Sequence, residues 1–248
     1  MRVWQCFCGK RIVQPYLLFV IMMLQWIIFG VIALVSWAVS EILKSRFEEY
    51  SKIPTNYGLT GKDVAEKMLR DAGIYDVRVV SVPGRLSDHY NPVDRTVNLS
   101  QVVYGQANVA AAAVAAHECG HAIQHARAFV PLRMRTALVP VVSVSSRWLS
   151  WILLAGMLLV NQLGTQLLFA GIVLYGFTTL FSFITLPVEI DASRRALTWL
   201  NTAGVTGYAT YPKAQSALRW AAYTYVVAAL GSLATLMYYI MVYLSRRD

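Results

Sequence analysis

Charged side chains are scarce in this sequence. They make up 14% of its 248 residues, against about 25% in an ordinary soluble domain. No Asp, Glu, Lys or Arg occurs between Ile12 and Ser40, and none occurs over the 41 residues from Trp148 to Val188. With 57% of the chain hydrophobic, this scarcity excludes a simple water-soluble domain. Cysteine is nearly absent: Cys6, Cys8 and Cys119 are the three present. An odd, sparse count excludes a disulfide framework. Cys6 and Cys8 form either a weak metal or lipid site or an incidental pair. Acids are fewer than bases, 13 against 22, for a formal net charge of +9. The bases do not gather on a polar face. They flank apolar runs, as in Lys10–Arg11, Lys44 and Arg46, Arg133 and Arg135, Arg194–Arg195 and Arg246–Arg247. Charge placed this way borders a lipid bilayer with anionic headgroups, and no nucleic-acid-binding motif accompanies it. No nucleic-acid partner is expected. Internal repeats and low-complexity linkers are also lacking.

The apolar runs are the first thing that is present. Tyr16 to Val39 is long enough for one membrane span of about 20 residues. It is too long for a signal-peptide core and no small-residue cleavage pattern follows, so it reads as a retained anchor. The run from Trp148 to Val188 is divided by Asn161-Gln162-Leu163-Gly164-Thr165-Gln166 and reads as a helical hairpin. Its first arm is expected to start near Leu138, and Leu186-Pro187 to close its second. A last apolar helix is expected from Trp220 to about Leu244. The chain thus divides into an N-terminal tail and first anchor (1–45), a polar segment (46–136), a transmembrane hairpin (137–187), a second polar segment (188–219) and a last span with its tail (220–248). The fold class expected is mainly α: a polytopic helical membrane protein of about four spans, with a small α+β unit at the membrane surface.

Local signals organise the first polar segment. Thr60-Gly61-Lys62-Asp63 opens a helix with a capping box, and Gly73 suits a left-handed C-terminal cap. Val77–Val82 is rich in β-branched residues and ends at Pro83-Gly84. Leu86–Tyr90 and Thr96–Ser100 flank Asn91-Pro92-Val93-Asp94-Arg95 and read as a hairpin. An alanine-rich helix is expected from about Gln106 to Phe129, ended or bent by Pro131.

That helix carries the densest chemistry in the chain. Only four histidines occur, and His117, His121 and His125 lie within nine residues. His117-Glu118-Cys119-Gly120-His121 is H-E-x-x-H. Four-residue spacing on a helix puts both imidazoles on one face, where their nitrogens reach one tetrahedral Zn2+. Glu118 points off the pair and takes a proton from the attacking water rather than binding the metal. A catalytic zinc needs a third protein ligand and an open position. The metzincin pattern would place a His six residues after His121; Arg127 stands there, and that class is excluded. His125 lies a further turn along, too far to share the ion, and reads as a supporting or interface His. The second polar segment begins with two acids, Glu189 and Asp191. Glu189 borders the charge-free run, where an acid is costly without a partner, so it is the candidate third ligand. The bland reading is a helix-start acid favoured by the dipole, which also describes Asp191. Pro187 is expected to open that helix at its first position.

These residues together resemble the YugP-type neutral zinc metallopeptidases of bacteria. The resemblance runs through Tyr57-Gly58-Leu59-Thr60-Gly61, Tyr75–Val79, Leu86–Tyr90, His117–His125, Leu186-Pro187-Val188-Glu189, Ala192–Ala196 and Thr224–Leu230. More distantly the chain is similar to HtpX-type gluzincins, in which a Glu opening an E-x-x-A-D run is the third ligand. Glu189 and Ala192 match that run, and Ser193 stands where the Asp would be. The tail from Met1 to Gln14 does not enter the match. The resemblance implies that an edge strand near Ser87-Asp88-His89-Tyr90 holds the substrate backbone. His89 would then donate to the developing oxyanion, or else fix the turn with Asp88. Arg219, Tyr208 and Tyr211 are alternatives for the donor.

The function expected is that of a membrane-embedded zinc endopeptidase acting on membrane or membrane-adjacent polypeptides. Its partners are a polypeptide substrate and the lipid bilayer. His117, His121 and Glu189 are the metal ligands, Glu118 the general base and His89 a candidate donor. The alternatives are a proteolytically silent zinc-containing scaffold or regulator, which would have no use for Glu118, and a metal-lined transporter, which would need polar groups within the spans. Four spans place both chain ends on one side and both polar segments on the other. The excess of Lys and Arg at span ends beside the polar segments favours a cytoplasmic catalytic side of the cell membrane.

Overall fold

The computed structural model describes residues 8–246 apart from Arg85 and Val160, with side chains described from Met23 onward. Cys6 and the side chain of Cys8 lie outside the described residues, as does the rest of the tail through Phe7. The elements in chain order are α1 (Cys8–Tyr50), a 3-10 turn (Asn56–Gly58), α2 (Gly61–Asp71), β1 (Arg78–Val82), β2 (His89–Asn91) and β3 (Thr96–Ser100). They continue with α3 (Gln101–Gly105), α4 (Val109–Ala126), α5 (Val130–Leu158), α6 (Gln162–Thr202) and α7 (Tyr211–Ser245). Among the described residues helix dominates, with one small sheet, as the composition and patterning lead one to expect. Four helices among them are long and apolar enough to cross a membrane: Met23–Tyr50 within α1, then α5, α6 and α7.

The chain divides into two compact units. One holds the residues up to Trp37, Leu138–Ser182 and those from Val227 on. Its interior is a small cluster of Leu149, Leu153, Leu168, Tyr238 and Val242. Helix backbones approach closely at Gly156, where an added Cβ would sit 2.7 Å from the Leu168 nitrogen. Small residues at such crossings are how helices associate in lipid, where burial from water supplies no drive. Arg246 closes the end of α5, donating to the carbonyls of Gly156 (2.6 Å), Met157 (2.7 Å) and Leu159 (3.2 Å). These carbonyls have no partner within the helix.

The other unit holds Ala38–Ala137 and Phe183–Val226. The capping box forms as the sequence foretells: Thr60 Oγ1 accepts from the Asp63 amide, and the Asp63 carboxylate accepts from the Thr60 amide. The Thr60 hydroxyl (2.6 Å) and the Thr60 amide both donate to the Asp63 carboxylate and hold it below its ordinary value. Gly73 ends α2 with φ +74°, which glycine adopts without strain. The sheet runs β1–β3–β2, with β1 parallel and β2 antiparallel to β3. The hairpin is therefore the expected one, with β2 at an edge. The parallel pairing of β1 on the far side of β3 is a further feature. All five residues of β3 are buried. The alanines of α4 let α2 and α3 pack against it, and Val64, Met68, Leu69, Val97, Leu99 and Val103 fill the core around them.

Several helix ends differ from expectation. The motif helix begins at Val109, with the Asn108 side chain accepting from the Ala111 amide at 2.8 Å. The separate short helix α3 occupies the preceding residues. α4 stops at Ala126, and Ala128 turns with φ +50°. Pro131 then sits in the first turn of α5, where its missing N–H costs nothing, so α5 starts at Val130 rather than near Leu138. Pro187 neither closes one helix nor opens another. α6 passes through it, although an interior proline forgoes one backbone hydrogen bond. Continuity places Val188, Ala192, Ala196 and Leu200, spaced by four, on one fully buried face. Burying that stripe offsets the lost bond and carries Glu189 and Ser193 to the edge of the same face.

Candidate metal centre and active site

Helical spacing does what the motif demands on α4. His117 and His121 stack as successive steps of one face, ring centroids 4.7 Å apart and nearly perpendicular. The partner comes from α6, 72 residues along the chain. Glu189 Oε2 lies 3.2 Å from His117 Nε2 and 3.6 Å from His121 Nε2. One ligand atom from each of the three residues lies within 4.8 Å of the others. A tetrahedral zinc with bonds of about 2.0–2.1 Å would hold its ligand atoms about 3.3–3.4 Å apart. Two imidazoles and one carboxylate, in such a cluster, are the donor set of a catalytic zinc, and they fit it. Glu189 is 3% exposed, too buried to be a solvated helix-start acid.

The approach of α4 to α6 rests on Gly120. A Cβ there would sit 2.6 Å from the Ala192 carbonyl oxygen and 3.0 Å from its Cα. Both contacts are to backbone, which cannot swing aside. The glycine inside the motif thus sets the distance between the histidines and their carboxylate partner.

Each member of the cluster has a polar partner behind it. With Nε2 toward the metal position, His117 Nδ1 donates to Ser193 Oγ at 3.1 Å. The residue standing where the E-x-x-A-D run has its Asp therefore supplies a neutral acceptor. His121 Nδ1 donates to Gln124 Oε1 at 3.1 Å. The fully buried Gln124 in turn donates to the Val188 carbonyl at 2.7 Å and to Asp191 at 2.9 Å. Asp191 also accepts from Arg195 Nε at 2.6 Å. Asp191 is thus two hydrogen bonds removed from His121, whereas Glu189 lies directly against both histidines. Arg135 approaches the other oxygen of Glu189 at 3.6 Å, leaving Oε2 to face the histidines. Such partners fix imidazole orientation and raise ligand basicity.

Burial is the largest single influence on the His121 imidazole and lowers its pKa. The hydrogen bond to Glu189 and the charges of Glu118 and Glu189 outweigh it, and the net shift is upward. Cys119, between the motif residues, turns the other way. It is fully buried, its thiol pushed well up by that burial, and its sulfur faces the Ala65 carbonyl at 3.6 Å. It remains a neutral core residue.

A cavity of about 200 Å³ opens on this cluster, and His117, Glu118, Glu189, Ser193, Asp88 and Tyr225 form its polar lining. Tyr225 is a residue that sequence reasoning passed over as a donor. The available signal was spacing: Leu218, Ala221, Ala222 and Tyr225 recur at i, i+3, i+4 and i+7 on α7 and all line this cavity. His89, Arg219, Tyr208 and Tyr211 are not among the lining residues. His89 Nδ1 donates to the Ser87 carbonyl at 2.8 Å, and Nε2 accepts from Asn98 at 3.2 Å. Asp88 accepts from the Ser100 amide at 2.7 Å, so both residues tie the hairpin together. His125 bonds the Tyr90 hydroxyl at 2.8 Å, linking the motif helix to the edge strand as a supporting His.

Comparison with known proteins agrees with this site. Residues 25–244 match the family described as "Putative neutral zinc metallopeptidase". The chain is 40% identical over 214 residues to "Putative membrane protease YugP" of Bacillus subtilis (strain 168), covering 86% of this chain and 92% of that protein. No solved structure matches the chain significantly. A zinc-type ligand cluster, four apolar helices and a match along nearly the whole length lead to one conclusion: this chain belongs to the neutral zinc metallopeptidase family and is a membrane-associated hydrolase of peptide bonds.

Proposed function

We propose that the protein is an endopeptidase working by the gluzincin-type mechanism on membrane or membrane-adjacent polypeptides. The observation that carries this reading is the meeting of Glu189 with His117 and His121 beside Glu118, in a cavity large enough for a peptide group. His117, His121 and Glu189 hold Zn2+. The metal supplies Lewis acidity that polarises a carbonyl and makes water a nucleophile at neutral pH. Glu118, buried at the cavity wall, accepts the proton of the attacking water and delivers it to the leaving amine. Tyr225, the hydroxyl on the opposing helix face, donates to the developing oxyanion. His89 is the less favoured donor, because both its ring nitrogens are already engaged.

The excess of Lys and Arg beside the polar segments supports a cytoplasmic catalytic side. A membrane-impermeant thiol reagent checks this on intact cells: a variant keeping only Cys6 labels, and one carrying only Val93→Cys, at an exposed position of the first polar segment, does not. For the activity, the purified protein is incubated with a quenched unfolded polypeptide. Cleavage that stops with chelator and returns with zinc supports the reading. Zinc bound at one equivalent without any cleavage would favour the silent scaffold instead.

A further inference from the structure

The polar half of the cavity serves the chemistry; the other half has no part in it. Leu86, Val114, Leu218, Ala221 and Ala222 complete the lining. They come from three separate parts of the chain, so the patch is not the by-product of one amphipathic helix. Val114 stands three residues before His117 and four before Glu118 on α4, one turn along the same face. Leu218, Ala221 and Ala222 occupy the stripe of α7 that ends at Tyr225. Leu86 stands in the loop before β2, 80% exposed, with φ +60°.

A peptide group attacked beside Glu118 therefore carries a neighbouring side chain within one helical turn of Val114. An apolar side chain there loses water-exposed surface, which is favourable. An acidic one meets a wall with no donor, and it shares the cavity with the carboxylates of Asp88, Glu118 and Glu189. The side chains of Ala221 and Ala222 are small and leave the room that a larger side chain fills.

We propose that this wall is a specificity pocket, and that the protein selects polypeptides with a medium-sized apolar residue, of leucine type, next to the cleaved bond. This rests on the catalytic reading above and names its substrate class. A hydrophobic pocket of this kind discriminates by about 10–200-fold.

The test separates binding from chemistry. A set of short peptides varies one position at a time among Leu, Gly, Lys and Asp. Their affinities are measured on the zinc-loaded Glu118→Gln protein, which binds without turnover, and their kcat/KM on the wild type. At one position, Leu binds at least about 10-fold tighter than Gly or Asp. Ala222→Phe fills the pocket and removes that advantage. Val114→Ala enlarges it and moves the preference from Leu toward Phe. Zinc content stays at one equivalent in both, which verifies folding. No preference at any position, a best ligand carrying Lys or Asp, or a Leu preference unaltered in both variants overturns the proposal. A wild type that hydrolyses nothing, beside a Leu preference in binding, would sink the catalytic reading and leave the pocket standing. Hydrolysis indifferent to the flanking residue would do the reverse.

Discussion

The two units of the molecule handle apolar side chains in opposite ways. In the unit that holds the metal cluster, Val64, Met68, Val97, Leu99 and Leu200 are 0–2% exposed. In the other, large apolar side chains point outward: Trp26 is 69% exposed, Ile27 62%, Trp37 63%, Trp151 68% and Leu158 71%. Only 6–22% of the apolar windows of the four long helices is buried. The same residue types thus obey two solvents. Water drives the first set inward; lipid accepts the second set where it stands. The buried polar groups around the metal cluster are organised: Gln124, Glu189 and Ser193 sit buried within a connected set of hydrogen bonds that ties α4 to α6.

The largest effects belong to that organisation. His117→Ala, His121→Ala and Glu189→Ala each lose zinc, as metal analysis after dialysis will show. His125→Ala and Asp191→Ala retain it, because those residues touch Tyr90 and Gln124 rather than the metal position. The opposite ranking of Glu189 and Asp191 would overturn the ligand assignment. Protons compete with the metal for the imidazoles. Because His121 is held above its ordinary value, zinc affinity starts to fall as pH drops while still above about 6.5.

A paired substitution tests the solvent comparison itself. Ile27 and Val93 are both exposed, at 62% and 88%. Ile27→Arg puts a cation in the middle of the first apolar run and disfavours insertion by roughly 2.5–3.5 kcal/mol, visible as loss from the membrane fraction. Val93→Arg lies in a polar turn and alters stability by no more than about 0.5 kcal/mol. Equal effects would mean that the two surfaces face the same medium.

How much of this could be read from the residues follows the range of the forces involved. Local periodicity placed His117 and His121 on one face, and local capping placed α2. Scarcity pointed to Glu189, because the second polar segment has so few acids, and the structure brings it against both histidines. Contacts set by tertiary packing were not legible. Ser193 and Gln124 look like ordinary polar residues until α6 lies against α4. The role of Pro187 depends on a buried stripe that outweighs a local rule. Tyr225 becomes a lining residue only once α7 turns that face to the cavity.

Ser193→Ala probes the orienting bonds at smaller scale. It removes the acceptor of His117 Nδ1 and lowers zinc affinity about 10–100-fold, measured by chelator competition. An unchanged affinity would mean that Ser193 only fills space. Smaller still is the capping box. Thr60→Ala destabilises the catalytic unit by about 1 kcal/mol at neutral pH. Because Asp63 is depressed in the folded protein, its contribution is present above the ordinary carboxylate range and lost as pH falls through its folded value. The gap between wild type and Thr60→Ala in thermal unfolding therefore narrows in acid.

One measurement bears most directly on the central claim that this cluster is a hydrolytic zinc site rather than a structural one. Glu118→Gln preserves shape and removes the proton acceptor beside the ligands. Zinc content and the hydrolysis rate of an unfolded polypeptide are measured on the same purified sample. The account predicts one equivalent of zinc, as in the wild type, with the rate reduced by about 10²–10⁴-fold or more. Full hydrolysis by the zinc-loaded variant would contradict it.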